Sequence, residues 1–277
     1  MALLFDYLHL RIFLAGRAMP TYHREKTIVS FIFGRWLLFA MASIALPAQA
    51  DIVVERTRII YPESRRDVSF SLLNVATSEA AIGQMWTDNG DSDSNLDPDK
   101  IATPFQLSPV LARISASGRQ MVRLTFTGEP QNPEQESLYW FNVLELPSAY
   151  KGPSDADRIT LGRRTRIKIF FRPKGLKGDL QQAMKKLQCG LTNADQAWWL
   201  ECNNPSNFHL SFLAFSMGNS TGIRTVSEDG SMLKPRERAR FLVKNFDQLP
   251  QPLSSLVFDF INDFGGITAT NLPLISP

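Results

Sequence analysis

Arg158-Ile159-Thr160-Leu161-Gly162-Arg163-Arg164-Thr165-Arg166-Ile167-Lys168-Ile169-Phe170-Phe171-Arg172-Pro173 is the stretch that decides the fold. Residues 158–171 form the longest strand candidate in the chain. Ile159, Leu161, Arg163, Thr165 and Ile167 stand at every second position, the period of side chains on one face of a β-strand. Arg172-Pro173 closes it, because proline cannot donate to a ladder and restricts the residue before it. Taken alone, this alternation reads as an ordinary strand of a sandwich.

Working upstream, further strand candidates recur at short intervals. Ile52-Val53-Val54 opens the series, and Val68, Phe70 and Leu72 alternate with Ser69 and Ser71. Residues 80–87, 120–127 and 138–144 follow, separated by turn-rich stretches such as Asp88-Asn89-Gly90-Asp91. Downstream of Pro173 a loosely helical stretch, 179–187, precedes a second series at 198–202, 208–215, 239–243, 256–261 and 266–272. The expected class is all-β, with two sandwich domains split near Pro173, at 51–173 and 174–277.

Residues 1–50 are set apart from this pattern. Arg24, Lys26 and Arg35 precede the apolar run from Trp36 to Leu46, which ends in Ala48-Gln49-Ala50. A basic region, a short apolar region and an A-x-A site read as a secretory signal cleaved after Ala50, against an uncleaved signal anchor. The run is short for a membrane span, so no membrane insertion is expected after cleavage. Residues 1–50 hold five of the 30 Lys and Arg and two of the 27 Asp and Glu, which leaves 25 of each. The remainder is therefore near neutral, and nothing in it calls for a nucleic-acid partner.

Cys189 and Cys202 lie beyond the signal and flank the turn-like Thr192-Asn193-Ala194-Asp195. In an exported chain an even pair reads as a disulfide between paired strands, against two buried free thiols. With His209 alone nearby they make an incomplete zinc set, so no metal is expected. His209 is the one histidine after Ala50. Nucleophilic triads would have to use it, and no G-x-S-x-G, H-E-x-x-H or phosphate loop is present. The chain reads as a non-enzyme with no catalytic residue and no cofactor.

Three segments stand together in order: Glu55-Arg56-Thr57-Arg58-Ile59-Ile60-Tyr61-Pro62, then Glu136-Ser137-Leu138-Tyr139-Trp140-Phe141-Asn142 with Leu146-Pro147, then Arg164 to Pro173. Thr103-Pro104-Phe105, Arg113, Asn204-Pro205-Ser206 and Ile261-Asn262-Asp263-Phe264-Gly265-Gly266 extend the set into both domains. This series resembles the periplasmic pilus chaperones of the chaperone–usher pathway, the PapD-like family. The resemblance implies two immunoglobulin-like sandwiches set in an L, residence in the periplasm, and pilus subunits and an outer-membrane usher as partners. It also implies donor-strand complementation, in which an edge strand fills the groove of an incomplete subunit sandwich.

By that resemblance residues 158–171 supply the donor strand, with Ile159, Leu161, Arg163, Thr165 and Ile167 as its comb. Arg163 departs from the aliphatic residue usual there, which leaves open snorkelling, an acidic subunit pocket or a divergent client. Arg58 and Lys168 match the pair that grips the subunit's terminal carboxylate. Glu136, Arg172 and Asp263 match an ion-pair network joining the domains. Gln135 replaces a usual basic residue, and the segment 147–157 is short, as in the branch serving rod-like pili. Whether the free chaperone forms a self-capping dimer, as some relatives do, stays open. The alternative is a secreted two-domain adhesin or other structural surface protein, which explains the strands but not the placement of Arg58 and Lys168.

Overall fold

The computed structural model describes residues 52–90, 96–146, 162–194, 197–219, 222–227, 231–243 and 255–273. The expected signal segment 1–50, and the comb residues Ile159 and Leu161, lie outside the described residues.

The first sandwich is built from β1 (Ile52–Val54), β2 (Arg58–Pro62), β3 (Asp67–Asn74), β4 (Ala81–Asp88), β5 (Phe105–Ser108), β6 (Leu111–Ile114), β7 (Arg119–Phe126), β8 (Ser137–Leu146) and β9 (Arg163–Arg172). One sheet runs β1-β3-β7-β5 and the other β2-β9-β8-β4-β6. Alternation decides which face is buried. Phe70 and Leu72 of β3 and Val122 and Leu124 of β7 meet Tyr139, Phe141, Ile167, Ile169 and Phe171 of the opposing sheet in one core. Aromatic rings bind the two layers: Phe105 lies edge-on to Tyr139 at 5.1 Å, and Phe126 stacks on Phe171 at 4.1 Å. The Tyr61 hydroxyl ties β2 to the other sheet, accepting from the Phe126 N–H and donating to the Arg66 carbonyl, each at 2.9 Å.

The first described strands divide between the two sheets. β1 pairs antiparallel with β3, whereas β2 pairs parallel with β9. That division shapes the edge of the second sheet. β8 flanks β9 from Arg163 to Phe171, but β2 reaches it only from Lys168 onward. Residues 163–167 therefore have a ladder partner on one side alone among the described residues. The described strand runs Arg163–Arg172, and 158–161 of the expected donor strand lie outside the described residues. One expectation changes here: the strand's end, at 168–172, is covered within the domain by β2.

The second sandwich opens with a helix, α1 (Leu180–Lys185), capped by the Asp179 carboxylate, which accepts from the Gln182 N–H at 2.8 Å. The strands are β10 (Gln188–Ala194), β11 (Ala197–Asn203), β12 (Leu210–Asn219), β13 (Gly222–Ser227), β14 (Ser231–Leu233), β15 (Arg238–Leu242), β16 (Ser255–Ile261) and β17 (Ile267–Leu272). They form a sheet β10-β11-β15 and a sheet β13-β12-β16-β17, with β14 against β12. Phe212, Phe215, Phe258 and Phe260 pack with Leu200, Leu210 and the buried face of α1. β10 runs through Thr192 to Ala194, a stretch whose composition reads as a turn. Cys189 and Cys202 stand directly opposite on β10 and β11, disulfide-bonded and buried, with Cα atoms 4.2 Å apart.

Candidate functional site

Arg58 is the first residue of β2, and Lys168 is its direct register partner on β9. The pair therefore stands at the point where the free edge of β9 ends. Both side chains lie on the outer face, away from the core residues Ile59, Ile167 and Ile169. The Arg58 guanidinium is held over the Phe170 ring, 5.3 Å from its centroid, and Nη1 donates to the Ile261 carbonyl at 2.9 Å. Its Nε is buried without a partner. Lys168 lies 5.5 Å from the Trp140 ring and makes no hydrogen bond or ion pair with a described residue.

Burial pushes the Arg58 guanidinium below its ordinary value, and the charge of Arg172 adds to this against the opposing pull of Asp263 and Glu136. Lys168 is pushed down first by burial and then by the charge of Arg58. Two half-dry cations that repel one another and lack a bonded carboxylate would both be stabilised by an anion placed between them. The planar fork of arginine and the compact ammonium of lysine suit a carboxylate. A cleft of about 560 Å³ opens beside Arg58, lined also by Thr57, Asp263 and Phe264.

Behind this pair the two sandwiches are joined through Arg172, the last residue of β9. Its Nε donates to Glu136 Oε2 at 2.8 Å, and Nη1 and Nη2 grip both oxygens of Asp263 at 2.7 and 2.6 Å. Burial alone lowers the Arg172 pKa, but the bonds and charges of Asp263 and Glu136 outweigh it and hold the guanidinium well above its ordinary range. Glu136 Oε1 turns to the second sandwich, where it meets the His209 backbone N–H and ring Nδ1, each at 2.9 Å. His209 is thus a buried member of the junction, packed 5.6 Å from the Phe170 ring. The turn at 262–266 meets Thr57, whose Oγ1 lies where a side chain on Gly265 would have to go.

A second cluster holds β9 from its outer face. Asp88 ends β4 and is fully buried. Its Oδ2 accepts from Asn142 Nδ2 at 2.8 Å and Arg164 Nη2 at 3.1 Å; Oδ1 accepts from Arg166 Nη2 at 2.5 Å and the Gly90 N–H at 2.9 Å. Arg164 lies 4.9 Å from the Trp86 ring and Arg166 lies 4.2 Å from the Trp140 ring. Arg163 and Thr165 occupy the other face of the strand with Ile167, which is buried in the core. Sequence reasoning missed Asp88, Asn142, Arg164, Arg166 and the place of His209. One signal was available: basic residues at 164, 166 and 168 share a face, and such a row needs a counter-ion nearby. Among the described residues no group of three His, Cys, Asp or Glu is placed to hold a metal.

Residues 51–177 match the family model described as the pili and flagellar-assembly chaperone PapD N-terminal domain, and residues 182–272 match the pili assembly chaperone PapD C-terminal domain. The chain is 31% identical over 256 residues to YadV of Escherichia coli, named a probable fimbrial chaperone, covering 91% of this chain and 100% of YadV. It is 38% identical over 245 residues to the chaperone protein HifB of Haemophilus influenzae, covering 87% of this chain and 93% of HifB. The crystal structure of YadV superimposes with a TM-score of 0.65 at 30% identity, over 80% of this chain and 98% of YadV.

Proposed function

The chain belongs to the PapD-like pilus-assembly chaperones, and on that premise we propose that it holds pilus subunits in the periplasm by lending them the free edge of β9. It is a chaperone of pilus subunits, which sets aside the adhesin alternative. The family's role is a binding one, not a catalytic one. No helix among the described residues is long and apolar enough to cross a membrane.

The observation that carries the mechanism is the coincidence of two ends. The unpaired stretch 163–167 stops where β2 starts, and Arg58 and Lys168 flank that stop. A subunit strand laid along 163–167 parallel to β9 runs in line with β2 and finishes head-on against it. Its terminal carboxylate then arrives between two cations that lack one. Neutralising them offsets the repulsion and desolvation that they bear in the free protein. Backbone pairing supplies affinity, the alternate side chains fill the subunit's groove, and the held terminus fixes register. Covering the subunit's own unpaired edges keeps it from aggregating until an outer-membrane usher receives it. Glu136, Arg172, Asp263 and His209 hold the two sandwiches in the relation that keeps Arg58 against Ile261.

The test is to express the chaperone with the pilus subunits of the same bacterium and isolate the complex from the periplasm. Arg58→Ala and Lys168→Ala should each abolish a one-to-one complex while the free chaperone accumulates normally. An unchanged yield from both variants would remove the anchor.

A further inference from the structure

Four of the six residues at 163–168 are cations, and the structure accounts for three. Arg164 and Arg166 share the carboxylate of Asp88, and Lys168 belongs to the proposed anchor. Arg163 remains. It is exposed and forms no hydrogen bond or ion pair with a described residue. Glu145 stands directly opposite it on β8, yet the carboxylate of Glu145 is directed to the Ile52 N–H, at 3.3 Å from Oε2. Arg163 shares its face with Thr165 and Ile167, but Ile167 is buried in this chain's own core and does not serve as the comb residue expected of it, so Arg163 and Thr165 are what the described free edge turns toward a client.

We infer, resting on the strand-lending reading above, that Arg163 selects clients: the subunits that this chain holds carry an Asp or Glu in the groove pocket facing residue 163. A guanidinium does not shed its proton to enter an apolar groove, so it must keep its water or find an acceptor. A wholly aliphatic pocket would leave it buried and unpaired, the costliest arrangement for a charge. A carboxylate turns the same position into a two-pronged, directional contact. The surplus positive charge along 163–168 also draws an acidic groove toward this edge and disfavours a neutral or basic one.

The subunits of the same bacterium's pilus, each co-expressed with the chaperone in a periplasm, serve as the probe. Arg163→Glu should cut the yield of complex about tenfold or more and Arg163→Leu several-fold, with the free chaperone's melting temperature unmoved. Reversing the facing subunit carboxylate to Lys should restore binding to the Arg163→Glu chaperone. A photoreactive side chain at position 163 should crosslink to the segment bearing that carboxylate. Should Arg163→Leu give full yield or more while Lys168→Ala gives none, client selection by Arg163 is overturned and the strand-lending reading stands. Crosslinks confined to a pocket with no Asp or Glu overturn it equally. If Lys168→Ala and Arg58→Ala both leave the yield intact, the strand-lending reading fails and takes this inference with it.

Discussion

Asp88→Asn exchanges one oxygen for an amide nitrogen, and its cost follows from the bonds that Asp88 makes. Each carboxylate oxygen accepts two: Oδ2 from Asn142 and Arg164, and Oδ1 from Arg166 and the Gly90 N–H. Whichever way the new amide turns, its NH₂ faces two donors. The substitution therefore removes the charge and leaves two hydrogen-bond donors opposed. Breaking a buried ion pair from one side costs about 3–5 kcal/mol. The side chains of Arg164 and Arg166 are 29% and 20% exposed, so water recovers part of that, and their contacts with Trp86 and Trp140 survive. The expected loss is about 3 kcal/mol, or roughly 6–12 °C in Tm for a chain of this size unfolding as one unit. Thermal unfolding followed by circular dichroism and tryptophan fluorescence measures it. Adding Arg166→Met should return about 1 kcal/mol or more relative to additivity, because one stranded charge is gone. A Tm within about 2 °C of wild type, or strict additivity in the double variant, would refute the account of Asp88 as the charge that holds β9 down.

Three further outcomes are expected. The disulfide between Cys189 and Cys202 closes a loop with a sequence separation of 13, so the double Ser variant should lose about 2–4 kcal/mol of stability, seen as a lower midpoint in urea; an unmoved midpoint excludes a stapling role. Lys168→Met should raise Tm at pH 7 while abolishing the subunit complex. Burial depresses the folded-state pKa of Lys168, so the unfolded chain binds more protons and wild-type stability rises as pH climbs through that pKa toward the unfolded value. The variant should lack this rise, and an identical pH profile from pH 7 to 10.5 would contradict it. Gly265 has φ +83° and lies against Thr57, so Gly265→Ala should cost about 1–3 kcal/mol and loosen the junction, read as faster hydrogen exchange at 57–62 and 262–266.

Much of the fold was legible because burial imposes a period of two. Val68, Phe70 and Leu72 announce β3, and Leu138 to Leu144 announce β8. β5 and β6 are too short for a period to show, and β10 is hidden by Gly190, Asn193 and the small residues around them. β2 carries a motif but no strand signal, since Ile59-Ile60-Tyr61 does not alternate in type. Arg58 and Lys168 were found from the resemblance; no propensity places residues 110 positions apart side by side, and only the pairing of β2 with β9 does so. Asp88 escaped for a related reason. Beside Asn89 and Gly90 it looks like turn chemistry, and its partners lie far along the chain at 142, 164 and 166. His209 reads from sequence as a catalytic group or a zinc ligand, whereas its partner Glu136 sits 73 residues away across the junction.

The blunt end of β2 has a consequence beyond charge. For any guest laid along 163–167, the backbone at Thr57 and Arg58 is a wall, and a wall measures length. A guest that overran it would collide, and one that fell short would leave the cations facing solvent. If the strand-lending proposal holds, the site gauges where a polypeptide finishes as well as what it carries there. A tag of a few residues appended to a client's C-terminus should therefore be rejected even when every groove contact is preserved.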